Sequence, residues 1–162
     1  MKLNLGCGNS ILDGYINLDI VKNYGVDLVH DLNVFPYPFE DNHFDEILMS
    51  HVLEHLMYPQ ETMKELYRIL NKNGKLSIVF PHYTHPNAWL DLDHKRALTE
   101  DIFGRFYYNS PIAYNPDSPK FSAFSYKYKP TWIGKLLPYK SLKILRHFCN
   151  ILILDVEVIL IK

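Results

Sequence analysis

Five short apolar runs in the first half of the chain, each stopped by a polar or small residue, constrain its fold more than any other feature. Leu3-Asn4-Leu5 stops at Gly6, Tyr15-Ile16-Asn17-Leu18 at Asp19, and Val26-Asp27-Leu28-Val29 at His30-Asp31. Phe44 to Met49 stops at Ser50-His51, and Lys75 to Phe80 at Pro81-His82. Length and turn-forming boundaries mark each as a strand. Between the last two, Met63, Leu66, Tyr67 and Leu70 recur at amphipathic-helix spacing over Glu61 to Leu70, with Asn71-Lys72-Asn73-Gly74 as the expected stop. Strands joined by crossovers form a mostly parallel sheet, which binds ligands outside the strands' C-terminal ends. The stopping residues therefore mark a candidate binding edge.

The rest of the chain is less regular. Residues 82–131 are rich in Pro, Tyr, Phe and His without clear periodicity. They read as loop and lid, with one short helix near Thr99–Phe106 that opens on Thr99-Glu100-Asp101. From Tyr139 to Phe148 a second amphipathic helix is expected, with Leu142, Ile144, Leu145 and Phe148 on one side. Lys140, Lys143, Arg146 and His147 fall on the other, and packing on the sheet is favoured over resting on an anionic membrane. Asp155 to Lys162 alternates and is β-branched, which predicts a final strand. The expected organisation is one domain over residues 1–162, divided as 1–81, 82–131 and 132–162.

No charged-then-apolar leader precedes the first strand, and Ile151-Leu152-Ile153-Leu154 is cut off by Asp155 well short of a membrane span. Cys7 and Cys149 have the spacing of neither a disulfide framework nor a zinc site. The expected location is cytoplasmic, with no transmembrane segment.

The segment LNLGCGNS, residues 3–10, places a glycine-rich turn directly after a strand. Glycines there let the backbone approach a ligand and leave amides to bind it. The third glycine of a dinucleotide motif is missing, because position 11 is Ile. Asp19, at the second strand end, can accept the hydroxyl protons of a ribose, and Asp31 can accept from an adenine amino group with the Leu32 backbone beside it. Either aspartate alone reads as a turn former. Carboxylates in register at successive strand ends favour a nucleoside cofactor.

Together these segments resemble the class I S-adenosylmethionine-dependent methyltransferases. The resemblance rests on KLNLGCG, GYINLDI, VDLVHDLNVFPYPFEDNHFDEILMSHVLEHL and ETMKELYRILNKNGKLSIVFP, covering residues 2–81 nearly continuously. It implies an α/β, three-layer Rossmann-like sheet, mostly parallel with an antiparallel C-terminal strand. It also implies S-adenosylmethionine as cofactor. Gly6, Cys7 and Gly8 would wrap its methionine part, Asp19 its ribose, and Asp31 with Leu32 its adenine. Ser50 and His51 would face the sulfonium and the acceptor. Asn4 stands where many members carry Asp, so its contact to the cofactor's ammonium group would be neutral. Only six residues separate Gly8 from Tyr15, so the first crossover helix is expected to be shortened. That face is left thin, or covered by a second copy in a homodimer.

The expected reaction is direct in-line displacement onto a small-molecule or glycan-type acceptor. His51, His82 and His94 are the candidates for acceptor positioning or general base. His51-Val52-Leu53-Glu54-His55 also matches the H-x-x-E-H pattern of inverted zinc peptidases, in which helix-borne histidines bind zinc. Its place directly after a strand end favours the methyltransferase reading, and no metal ligand is assigned. Tyr and Phe residues from Phe106 to Tyr128 read as packing, with stacking on a sugar or base as the alternative. Charge divides the chain. Residues 1–101 carry 15 acids against 8 Lys and Arg, whereas 102–162 carry 3 against 9. The basic half is either a solvated face or a surface for an anionic partner, so an RNA-directed enzyme is an alternative. A non-catalytic S-adenosylmethionine-binding subunit is another.

Overall fold

The computed structural model describes residues 1–107, 117–145 and 152–162. Its strands are β1 (Lys2–Leu5), β2 (Ile16–Asp19), β3 (Leu28–Val29), β4 (Phe44–Ser50), β5 (Leu70–Pro81), β6 (Ala123–Pro130) and β7 (Ile153–Ile161). They form one seven-stranded sheet in the order β3-β2-β1-β4-β5-β7-β6. The first five pair in parallel, and β7 runs antiparallel to both β5 and β6. This is the expected α/β sheet with its antiparallel C-terminal strand.

Burial follows position in the sheet. In β1, Leu3, Asn4 and Leu5 are all buried, as for a central parallel strand covered on both faces. From β1 the chain builds outward through β2 to β3, then returns to place β4 on the other side of β1. The strand order therefore reverses at β1, and a crevice opens at the C-terminal ends of β1 and β4.

The connections differ from expectation in three places. The first crossover is not a shortened helix: residues 9–15 hold turns and bends only. Side-chain amides do the organising there. Asn4 Nδ2 donates to Ser10 O and Asn17 Oδ1, while Asn17 exchanges hydrogen bonds with both N and O of Leu12. Helix α1 (Pro59–Ile69) buries Met63, Leu66 and Ile69 on the sheet. It ends without a glycine cap, because Leu70 is already extended and pairs with Phe44. Strand β6 lies inside the stretch expected to be lid. It extends the sheet through an eight-residue pairing with β7.

Helix α2 (Asn87–Leu90) and a 3₁₀ turn over Glu100–Phe106 follow β5. Thr99 caps that turn by accepting from Asp101 N, at the position the sequence indicated. A 3₁₀ turn over Gly134–Leu136 and helix α3 (Tyr139–Leu145) precede β7. In α3, Leu142 is buried and Leu145 half-buried against the core, but Ile144 is 69% exposed. Two helical residues subtend about 200° and three about 300°, so Ile144 cannot share the face of Leu142. Lys140 and Lys143 are exposed, and Lys143 Nζ lies 5.4 Å from the Tyr126 ring centroid. Arg146, His147, Phe148 and Cys149 lie outside the described residues. Among the described residues, no helix is long and apolar enough to cross a membrane.

Candidate active site

The site begins at the turn after β1. Gly6 and Gly8 both have positive φ, +62° and +52°. A Cβ on Gly6 would stand 2.3 Å from Val52 Cγ2, so only glycine lets the turn pass the segment after β4. Asp19, at the end of β2, closes the turn: its carboxylate accepts from Gly8 N at 2.7 Å and from Val21 N at 3.1 Å. Each oxygen retains a lone pair for a further donor. Cys7 is buried and its amide donates to Leu18 O.

Two cavities flank this turn, each of about 290 Å³. One is lined by Asp19, Asp31, Leu32, Val52 and Leu56 together with Ile20 and His30. It joins two carboxylates, which accept hydrogen bonds, with apolar walls between them. Asp31 Oδ1 is also occupied by Asn33 N, which fixes its direction. The other is lined by Asn4, Gly6, Cys7, Ser10, Ser50 and His51. Gly6 and His51 border both. Asn4 spends its amide nitrogen on Ser10 and Asn17, so it braces this second cavity as well as bordering it.

His51 is the pivot of the site. It sits at the end of β4 with φ of +55°, a rare conformation for a residue bearing a Cβ. Its amide still donates to Val79 O, which holds the bend against β5. Its ring lies 3.7 Å from an Asp155 carboxylate oxygen and 3.6 Å from Glu54 Oε1. Those two carboxylates push its pKa up to about 9, against burial that lowers it. Two carboxylates beside the ring favour its charged form, which suits acceptor positioning, one of the two roles expected for His51.

His51 also borders a third cavity, of about 690 Å³, with His55, Pro81, Asn87, Leu90, Asp91, Leu92 and His94. His94 Nδ1 lies 3.1 Å from Ala88 O, and the His55 and His94 rings meet edge to face with centroids 4.6 Å apart. Of the three expected histidines, His51 and His94 thus come together at one cavity. His82 does not. It is fully buried, its Nδ1 lies 2.7 Å from Thr84 Oγ1, and its ring lies near Glu100 and Tyr128. Buried there, it does not line the cavity that His51 and His94 share. The zinc-peptidase reading fails too: residues 51–57 are turns and bends, so His51 and His55 do not share a helix face.

Sequence reading missed Ile20, His30, Val52, His55 and Leu56 as lining residues, and Asp155 as the partner of His51. His30 was legible, since it directly precedes Asp31 at a strand end. Asp155 was not, because only the β5–β7 pairing brings it to the end of β4.

Comparison with known proteins agrees with this architecture. A family model described as a methyltransferase domain matches residues 20–78. The demethylmenaquinone methyltransferase of Chlamydia trachomatis is 35% identical over 82 residues, 48% of this chain and 35% of that protein. An uncharacterized protein of Methanocaldococcus jannaschii is 45% identical over 82 residues, covering 50% of this chain and 31% of its own. The chain thus spans about a third of the length of these relatives. An Archaeoglobus fulgidus S-adenosylmethionine-dependent methyltransferase structure superposes with a TM-score of 0.71 over 99% of this chain and 85% of that one, at 16% identity. The glycine turn, the strand-end aspartates and the sheet order match the fold of S-adenosylmethionine-dependent methyltransferases, and residues 20–78 are similar to a methyltransferase domain.

Proposed function

We propose that this protein transfers a methyl group from S-adenosylmethionine, by in-line displacement, to a small-molecule or glycan-type acceptor held in the cavity of about 690 Å³. One observation carries the reading. The two cavities beside the glycine turn and the larger third cavity all meet at His51. A cofactor laid along the first two would present its reactive centre to an acceptor in the third.

The cofactor would supply an electrophilic methyl carbon, open to an acceptor lone pair as the carbon–sulfur electron pair goes to sulfur. This chain's residues supply position. Asp19 would hold the ribose hydroxyls, Asp31 and Leu32 the adenine, and Gly6 with Gly8 the backbone close to the amino-acid end. Holding two reactants in line is worth roughly 7–11 kcal/mol of barrier. His55 and His94 border the acceptor cavity and would position the acceptor there. Among the described residues no lysine or arginine lines the acceptor cavity, whereas Leu90 and Leu92 do. That lining supports a compact acceptor over a phosphodiester chain.

Isothermal calorimetry with S-adenosylhomocysteine, followed by transfer of labelled methyl from S-adenosylmethionine to small-molecule and RNA fractions, tests the reading. Micromolar binding, equivalent to about 8 kcal/mol, and label in the small-molecule fraction are expected. Absence of S-adenosylhomocysteine binding would overturn the function, and label confined to RNA would overturn the acceptor class.

A further inference from the structure

Beside the pivot histidine, Glu54, His55 and His94 form a second group of side chains, of which His55 also borders the cavity at Asp19 and Asp31. Glu54 is 1% exposed, yet neither carboxylate oxygen accepts a hydrogen bond. Its nearest charged neighbour, His51 Nδ1, stands 3.6 Å from Oε1, beyond hydrogen-bond length. The His51 ring offsets part of the cost of burying this carboxylate but donates no hydrogen bond to it, so both oxygens keep lone pairs for a metal ion. One donor atom each from Glu54, His55 and His94 lies within 4.8 Å of the others.

We propose that Glu54, His55 and His94 bind a divalent first-row transition metal, with zinc the expected ion, at the wall of the acceptor cavity. Two imidazoles and one carboxylate form a donor set that holds zinc with a fourth position open. Tetrahedral zinc at about 2.0–2.1 Å from each donor needs donor separations of roughly 3.3 Å, so small rotamer shifts close the site. His94 is already oriented: Nδ1 faces the Ala88 carbonyl, which can only accept, so in the neutral ring Nε2 carries the lone pair. Asp91 stands 3.9 Å from that Nε2 as a further oxygen donor.

The two chain segments are clamped together in advance. Lys95 N donates to Glu54 O at 2.9 Å, and the Arg96 guanidinium donates to the carbonyls of Leu53, Leu56 and Met57. Neither segment is helical, so the site shares residues with the H-x-x-E-H sequence pattern but not its geometry. His55 and His94 border the acceptor cavity, so the open position would meet an acceptor hydroxyl, thiol or carboxylate there. This inference rests on the methyltransferase reading for that last consequence only; the metal site stands on its own donors.

The test uses the full chain, stripped with a chelator and titrated with zinc chloride alone by calorimetry, with elemental analysis after dialysis. About one zinc per chain is expected, with cobalt substitution giving the absorption bands of a tetrahedral site. His94→Ala and His55→Ala should each weaken zinc by more than the roughly 10–100-fold that loss of an outer hydrogen-bond partner costs. His85→Ala, outside the cluster, should bind zinc as wild type does. Absence of stoichiometric zinc and of cobalt bands in the folded wild-type chain overturns the proposal, as does full zinc retention in the His55→Ala/His94→Ala double variant. S-adenosylhomocysteine affinity is measured on the same preparations. Intact cofactor binding without zinc refutes the metal site alone, and zinc without cofactor binding refutes the methyltransferase reading alone.

Discussion

The two halves of this chain build one sheet by different means. Residues 1–81 carry a parallel series in which each strand ends on a residue that lines the site or directly precedes one that does. Gly6, Asp19, Asp31 and Ser50-His51 reach one edge simply because parallel strands point the same way. The later half adds the antiparallel pair β6–β7, and its contributions arrive through tertiary pairing. Asp155 comes to His51 because β7 runs back along β5, and His94 comes to His55 through the Lys95 and Arg96 clamp. The cofactor side is thus specified locally, and the acceptor side by contacts distant in sequence.

Helix α3 gives the hardest test of how the later half packs. Leu142→Asp places an unpaired charge at a position 2% exposed, and a loss of several kcal/mol, read as a large drop in denaturant midpoint, is expected. Leu145→Asp should cost less, because Leu145 is only half-buried. Equal effects at the two positions would show that the face is not the one described.

The cofactor side is next. Asp19→Ala should weaken S-adenosylhomocysteine binding by about 1.5–3 kcal/mol, because a charged acceptor of hydrogen bonds is lost. Wild-type affinity by calorimetry would break the idea that strand-end carboxylates do the binding.

A smaller effect concerns pH. Burial raises the Glu65 carboxyl pKa, but the Arg68 guanidinium and the Tyr37 amide outweigh it and hold the value below the ordinary 4.5. A depressed carboxylate contributes stability that is present above the unfolded pKa and lost as pH falls through the folded one. Glu65→Gln should therefore flatten the fall in stability below about pH 4.5 and leave its slope near neutrality unchanged. Unfolding curves that keep the acid slope in the variant would assign that slope to other carboxylates.

The smallest effect is expected at Ile144→Asp. With the side chain 69% exposed, stability should stay within about 0.5 kcal/mol of wild type. A large loss would break the assignment of Ile144 to the exposed side of α3.

The alternation of strand and stop, the glycine turn and the helical period of α1 were all readable from the sequence, because each is a local pattern with a local physical cause. The parallel sheet and its binding edge followed from them. Strand β6 was also present as a pattern, since Tyr126 and Tyr128 alternate with Lys127 and Lys129, but the surrounding aromatic loops obscured it. The missing first crossover helix was foreshadowed by a short spacing, yet its replacement by an Asn4–Asn17 network was not, because amide pairing has no sequence period. His82 looked equal to His94 in sequence, and only packing separated a buried imidazole from one on a cavity wall. Sequence alone determined which residues stand at the strand ends. Tertiary structure decided which histidines meet, which carboxylates face His51 and where the cavity beside it opens, because those depend on pairings between segments tens of residues apart.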